Sequence, residues 1–380
     1  MSKIRIATFN VENLFSRARP MNLETWEEGK PILEDIRNLN TELAREKYDE
    51  QCKEAIKQIL LKYEFDNPNK RARPFDIIQT RKKLFSRPQT GGIKVVAAGR
   101  SSWVGWVELQ REMFPATAVE NTARVLAEVK AQVVCLVEVE NRITLHDFNR
   151  SVISKFMTPY EHNMVIEGND MRGIDVGVLS RFPFRSLRSH IDDQAKDDQG
   201  RPLFYQNGEP VLIFSRDCPE YEIELPDGQF LYLLANHFKS QGYGSKASND
   251  ARRRAQAERV REILTETYDL NQEFVVVAGD LNDTPSQTPL EPLLNTADLH
   301  DVLDHLPPGS DRWTYRTGQK QFDYLLASSR LMTTLPGVGI ERKGLYSQDD
   351  FGGKYSHFPT VKGLTTQASD HAAVWADFSI

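Results

Sequence analysis

The chain has 380 residues, 39% of them hydrophobic and 27% charged, with a formal net charge of -6. This composition excludes a disordered chain and leaves room for one large domain or two ordinary ones, while the charge offers no global attraction to a polyanion. No stretch approaches the roughly 20 apolar residues of a membrane span, three scattered cysteines exclude a disulfide framework or a cysteine zinc site, and "MSKIRIATFN" lacks a signal-peptide core, so a cytoplasmic location is expected.

In chain order, "KIRIATFN" alternates as a strand does and stops at Asn10. Tyr48, Cys52, Ile56 and Ile59 or Leu60 recur at helical spacing, which predicts an amphipathic helix over about 41–62 behind an N-cap at Thr41. Residues from about 64 to 118 have weak periodicity and several Pro and Gly, the pattern of an insertion or long loop. Lys70 to Arg100 holds nine basic residues against one acidic. "ENTARVLAEVKA" predicts a helix, and "VVCLV" a buried strand ending in Glu138, with Cys135 a small core residue. "GIDVGVLS" and "QFLYLLANH" predict further strands, the second ending in Asn236 and His237. "NDARRRAQAERVREIL" predicts a helix capped by Ser248, Asn249 or Asp250. The β-branched run of "VVVAGDLNDTP" stops at Asp280, Asn282 and Asp283, and "QFDYLLAS" and "SDHAAVWADF" close the series. Strands alternating with helices in one continuous order point to a single α/β domain over 1–380, with an insertion at about 64–118.

Asn10, Glu138, His237, Asp280 with Asn282, and Asp370 with His371 each sit where an apolar run stops. If the strands lie side by side, these ends converge on one rim. Oxygen ligands converging with two histidines make a hydrolytic metal site for a hard cation such as Mg²⁺, which takes carboxylate and amide oxygens and leaves positions for water and phosphate.

The ordered series "ATFNVENLF", "LVEVEN", "RGIDVGVLSR", "ANHFKS", "AGDLNDTP", "QFDYLL" and "ASDHA" resembles the endonuclease/exonuclease/phosphatase superfamily from residue 7 to 372. The resemblance implies a four-layer α/β/β/α sandwich, two mixed sheets packed face to face with helices outside. It also implies that Glu138 binds Mg²⁺, for which Mn²⁺ can substitute, with Asn10 near the ion and Asp370 a second metal or water contact. Asp280 and Asn282 match the residues that hold the attacking water and the scissile phosphate. Asp323 matches the carboxylate that orients His371, and His237 a phosphate-facing residue able to protonate the leaving oxygen. The division of acid and clamp between the two histidines stays open. Two departures stand out: Val137 precedes Glu138 where many members have Gln, and the 64–118 segment has no counterpart in short members.

Each residue also has a structural reading. Glu138 is a surface glutamate or, with Glu140 on the same strand face, half of a pair that calls for a cation. His237 is an ordinary strand-end histidine or, with Lys239 and Ser240 following, part of a phosphate site. Asp323 pairs with Arg316 or Lys320, or with a histidine, since an unpaired carboxylate inside a strand is costly. Arg172 contacts phosphate or braces its loop, and Asp170 and Asp175 are weaker candidates. "SQGYGSKASNDARRR" is a loop covering substrate or a helix flank. The basic run lines a groove for a nucleic-acid backbone, or it is a solvated loop with Trp103 and Trp106 buried. "GGIKVVAAG" lacks the Lys-Ser/Thr ending of a P-loop. The sequence thus predicts a divalent-metal phosphodiesterase, most simply a nuclease with nucleic acid as substrate and no protein partner. A phosphoesterase for an inositol phosphate or sphingomyelin type of substrate is the alternative, and a noncatalytic nucleic-acid binder the third reading.

Overall fold

The computed structural model describes residues 3–12, 17–18, 26–70, 73–112, 116–170, 173–196, 199–206, 209–242, 245–346 and 354–380. The chain opens with β1 (Lys3–Asn10), then runs through α1 (Trp26–Leu43), α2 (Glu50–Lys62), β2 (Phe75–Arg81), β3 (Phe85–Ser86), β4 (Lys94–Val95) and β5 (Val104–Leu109). It continues with α3 (Ala116–Val129), β6 (Val133–Val139), α4 (Arg142–Ser151), β7 (His162–Ile166), β8 (Asp175–Ser180), β9 (Phe184–Arg188), β10 (Glu220–Glu224) and β11 (Phe230–His237). The last elements used below are α5 (Lys246–Thr267), β12 (Phe274–Asp280), β13 (Leu299–Asp301), β14 (Asp323–Ser328), β15 (Gly337–Glu341) and β16 (Ala373–Ser379).

Two compact units result, residues 1–15 with 115–380, and residues 16–114. In the larger unit, two six-stranded mixed sheets run β15-β16-β1-β6-β8-β7 and β9-β10-β11-β12-β14-β13. The period of two in each strand sorts its side chains between two layers. Ile4, Ile6, Val133, Cys135, Leu233, Ala235, Val276, Ala278 and Leu325 fill the space between the sheets. The alternate residues pack outward: Ala7, Phe9, Val134 and Leu136 meet α3 and α4 through Val125, Leu126, Leu145 and Phe148. Val275, Val277, Tyr324 and Leu326 meet α5 through Val260, Ile263 and Leu264. Helix, sheet, sheet and helix therefore stack in four layers, as the resemblance implies.

In β6 the alternation breaks at Glu138. Asp175 pairs with Val139 and Val176 with Val137, so Glu138 is an extra residue in β6. It takes φ +67, and the phase of the strand reverses across it: Val137 packs between the sheets, Val139 against the helices. Glu138 and Glu140 therefore do not share the strand face expected for them, because the bulge intervenes and β6 ends at Val139.

In the smaller unit, the single helix expected over 41–62 is two helices. The cap of α2 is Asp49, whose side chain accepts from the Cys52 N–H, while Thr41 lies inside α1 and donates to Arg37 O at 3.0 Å. Cys52, Ile56 and Leu60 do form the apolar stripe, and they pack on Phe65, Phe75, Leu84, Ile93 and Trp103. The 64–118 segment, expected as an insertion or long loop, thus supplies part of a closed core, with β2 and β5 paired antiparallel and β3 paired with β4. Helix α5 likewise begins earlier than expected, at a Ser245 cap that accepts from Ser248 N–H. Among the described residues no helix is long and apolar enough to cross a membrane.

Candidate active site

The two-residue period that builds the core also builds the site. Asn10 continues the row of Ile4 and Ile6, His237 that of Leu233 and Ala235, and Asp280 that of Val276 and Ala278. Asp323 precedes Leu325 and Ala327 on β14 in the same way. All four polar groups therefore lie on the inter-sheet faces, where the apolar filling ends. Register sets three of them in line: His237 is opposite Asp280, and Asp280 opposite Asp323. Gly279 makes the alignment possible, because its φ is +141 and a Cβ there would fall 1.8 Å from Asn236 O.

Asp280 is the hub. Asn10 Nδ2 donates to its Oδ2 at 3.1 Å across the two sheets, and the Asn282 N–H donates to its Oδ1 at 2.8 Å. Nε2 of His237 lies 4.0 Å from Oδ2, and Nε2 of His371 lies 3.9 Å from it. His371, from the segment before β16, shares a hydrogen bond of 2.8 Å between Nδ1 and Asp323 Oδ2. This is the partner foreseen for Asp323, in place of Arg316 or Lys320. The ring packs on Tyr315 with centroids 4.8 Å apart.

Burial governs the electrostatics. It lifts the Asp280 carboxyl well above its ordinary 3.8, with the His371 charge opposing and the Asp323 charge adding to the rise. Burial alone would pull His371 toward its neutral form, but the Asp323 carboxylate and its hydrogen bond, with the charges of Asp280 and Asp370, hold it well above 6.5. The arrangement is a buried carboxylate whose Oδ2 lies 3.9 Å from an imidazole that Asp323 orients.

The remaining expected residues surround this hub. Asn282, at φ +54, donates its side-chain N–H to Phe238 O at 3.2 Å. Asp370 is half-buried, with Oδ1 3.9 Å from His371 Nε2. Glu138 is half-buried at the β6 bulge, on the strand whose Val137 is level with Asn10. Lys239 turns its ammonium onto its own loop, donating to Ser240 O at 2.9 Å and Gly242 O at 2.6 Å. Arg172 lies outside the described residues. Asp170 pairs with Arg216 at 3.0 Å, and Asp175 accepts from Gly168 N–H at 2.8 Å.

Several supporting residues are not singled out by the sequence. Ser369 Oγ donates to Asn10 O at 2.7 Å and accepts from His371 N–H at 2.9 Å, tying two site residues together. Thr314 Oγ1 accepts from the N–H groups of Phe322 and Asp323, both at 3.0 Å. Glu12 accepts from Asp370 N–H at 3.0 Å. Buried Arg253 donates to Asp283 at 3.1 Å and to Lys239 O at 3.1 Å, fixing the loops on either side of Asn282. A polar cleft of about 320 Å³ opens beside them, lined by Gln241, Asn249, Arg253, Asp283, Thr284 and Lys320 among others.

A divalent cation fits the chemistry of this rim. Ligand atoms of Asp280, Asp323 and His371 lie within 4.8 Å of one another, a set able to hold an ion. Asp323 Oδ1 is buried without a hydrogen-bond partner among the described residues. Glu12, Glu138 and Asp370 add carboxylates that are only partly buried. Negative charge gathered in a low-dielectric space calls for a counter-charge, and oxygen donors suit a hard ion.

A model of the Endonuclease/Exonuclease/phosphatase family matches residues 112–371. No curated protein matches the chain. Solved structures similar to it include a humanized D. rerio TDP2 with 14 mutations, 17% identical, covering 70% of this chain and 94% of that one at a TM-score of 0.45. An endonuclease/exonuclease/phosphatase from Beutenbergia cavernae is 17% identical, covering 69% and 66% of the two chains at 0.47. SmcL is 14% identical, covering 69% and 92% at 0.43.

Proposed function

The chain belongs to the endonuclease/exonuclease/phosphatase family, and from that premise we propose that it hydrolyses phosphodiester bonds with a divalent cation and that its substrate is a nucleic acid. The observation that carries the reading is the buried Asp280 carboxyl held between two imidazole Nε2 atoms and fixed by Asn10 and Asn282.

In this reading Asp280 accepts the proton of the attacking water, for which its raised proton affinity suits it. Asn282 helps to hold that water and the phosphate beside it. His371, fixed through Nδ1 by Asp323, presents Nε2–H to the phosphoryl oxygens, and His237 presents its own from the other side. One of the two protonates the departing oxygen. Glu138, Asn10 and Asp370 would hold Mg²⁺ or Mn²⁺ at the rim. We assign the ion there because Mg²⁺ prefers oxygen donors, which leaves the His371 imidazole to the phosphate. When bound, the ion neutralises charge growing on the nonbridging oxygens.

The test is hydrolysis of bis-p-nitrophenyl phosphate, plasmid, single-stranded DNA, RNA and sphingomyelin. Asp280→Asn, which keeps shape and removes the base, should lower turnover by on the order of 10² to 10⁴. EDTA should stop the reaction, with Mg²⁺ or Mn²⁺ restoring it. Undiminished turnover by folded Asp280→Asn refutes the assignment, and turnover of sphingomyelin alone refutes the choice of nucleic acid.

A further inference from the structure

The smaller unit carries a surface that the catalytic reading does not use. In the β2–β5 ribbon, Ile77, Val107 and Leu109 turn inward onto the core of the unit, and the opposite face carries exposed Val104, Trp106 and Glu108 with half-buried Asp76 and Ile78. Trp106 stands on that outer face at 50% exposure, directly across from Ile78. Its neighbour on the same face, Val104, is 40% exposed and lies opposite Arg81. A tryptophan half in water on a two-stranded ribbon is unusual, because its large apolar area is ordinarily covered.

The charges divide along the ribbon: Asp76 and Glu108, paired next to Ile78 and Trp106, share this face toward one end, and the basic run continues from the other, where Arg81 faces Val104. Within the basic run, some cations serve the fold: Arg73 donates to the carbonyls of Tyr63, Glu64 and Asn67, and Arg87 to Phe65 O. Arg81, Lys82, Lys83 and Lys94 do not, being exposed and forming no ion pair among the described residues. Arg81 to Lys83 continue from the end of β2, and Lys94 pairs in register with Ser86, a few residues farther along. In a chain of net charge -6, an exposed aromatic ring with uncommitted cations beyond one end of its ribbon is complementary to a polyanion that also offers flat apolar rings and runs toward that end.

We propose that the outer face of the β2–β5 ribbon binds a single-stranded polynucleotide, with Trp106 as a stacking platform for a base and Arg81, Lys82, Lys83 and Lys94 as contacts to its phosphates. Stacking needs a ring whose face is open, and unpaired bases supply the matching surface. The placement of apolar groups argues against a membrane, the other anionic surface. A hairpin that inserts into lipid puts its apolar residues at the tip, whereas the tip between β3 and β4 reads Pro88, Gln89, Thr90, Gly91, Gly92, and Trp106 sits mid-strand.

The experiment uses the full chain in EDTA, with binding of a fluorescent oligothymidylate followed by anisotropy. Trp106→Ala should weaken binding by about tenfold or more, and Trp106→Phe should keep most of it. The double variant Lys82→Gln/Lys83→Gln should reduce the slope of log affinity against log salt by about 1.4, at about 0.7 for each lost phosphate contact on a single strand. Hydrolysis of bis-p-nitrophenyl phosphate should be unchanged in all three variants. Equal affinity of Trp106→Ala and wild type overturns the proposal, as does binding to phosphatidylserine vesicles in place of the oligonucleotide. A wild type that binds strand through Trp106 yet hydrolyses no phosphodiester overturns the catalytic reading and leaves the ribbon site standing.

Discussion

Glu138 holds a left-handed backbone, φ +67, one residue before the end of a buried strand. An L-residue with a long side chain is strained there by about 1–2 kcal/mol, a strain glycine escapes. Glu138→Gly should therefore be more stable than Glu138→Ala by about 1 kcal/mol in urea unfolding, since both lose the same carboxylate. Both should lose cation-dependent hydrolysis if Glu138 holds the ion. Equal stabilities would mean that the bulge relaxes when the glutamate is removed. At this scale the sequence exposes the residues that end apolar runs, because a carboxylate after valines is visible without a fold. It hides Ser369 and Thr314, whose hydroxyls join Asn10 to His371 and fix the start of β14. A serine bonded to a residue 359 positions away has no local spacing to betray it.

At the scale of elements, the periodicity of Cys52, Ile56 and Leu60 reveals a helix but not its start. Tyr48 keeps the same spacing yet precedes the Asp49 cap, and it is buried for a different reason: its hydroxyl donates to Leu43 O at 2.8 Å and accepts from Trp103 Nε1 at 3.0 Å. The connection between β9 and β10 shows a second case, in which a buried histidine fastens a loop. His190 shares Nδ1 with Asp193 at 3.0 Å and Nε2 with Glu220 at 2.7 Å. Both carboxylates only accept, so the imidazolium alone satisfies both contacts. Burial alone would lower the His190 pKa, but the Glu220 hydrogen bond and the charges of Asp193 and Glu220 raise it above 6.5. Burial likewise pushes Glu220 upward, while His190 and Tyr268 together bring it below 4.5.

The sign of the linkage follows. A raised histidine contributes stability that is complete below pH 6.5 and lost as pH rises through the folded value, and a lowered glutamate contributes above pH 4.5 and loses it on acidification. The pair is thus strongest between these limits. Thermal unfolding should show wild type losing more stability than His190→Gln as pH rises from 6.5 toward 9, the variant having no proton there to give up. Parallel curves for the two proteins would deny His190 this role.

For the whole molecule, two separate sets of buried side chains define two units. The larger closes around the inter-sheet layer and its two outer layers, and residues 16–114 close around Phe75, Leu84, Trp103 and their neighbours. Replacing 16–114 by a short Gly/Ser linker should leave a protein that unfolds cooperatively and hydrolyses bis-p-nitrophenyl phosphate within a few-fold of the full chain, while losing affinity for single strands. An aggregated product without near-UV circular dichroism would show that the larger unit needs the smaller one to fold. The sandwich is legible in the sequence because its strands are long enough to display alternation and end in recognisable polar groups. In the smaller unit β3 and β4 are not, since Phe85–Ser86 and Lys94–Val95 are two residues each and no period can be read from so short a strand.

The hydrogen bond from Asn10 to Asp280 joins one sheet to the other, at the end of a gap filled by side chains such as Cys135 and Ala278. The width of that gap is set by residues with no chemistry of their own, and it decides how firmly the amide can grip the carboxylate. Remote aliphatic volume thus reaches the rim as a distance, the one that Asn10 must span to meet Asp280 from the facing sheet.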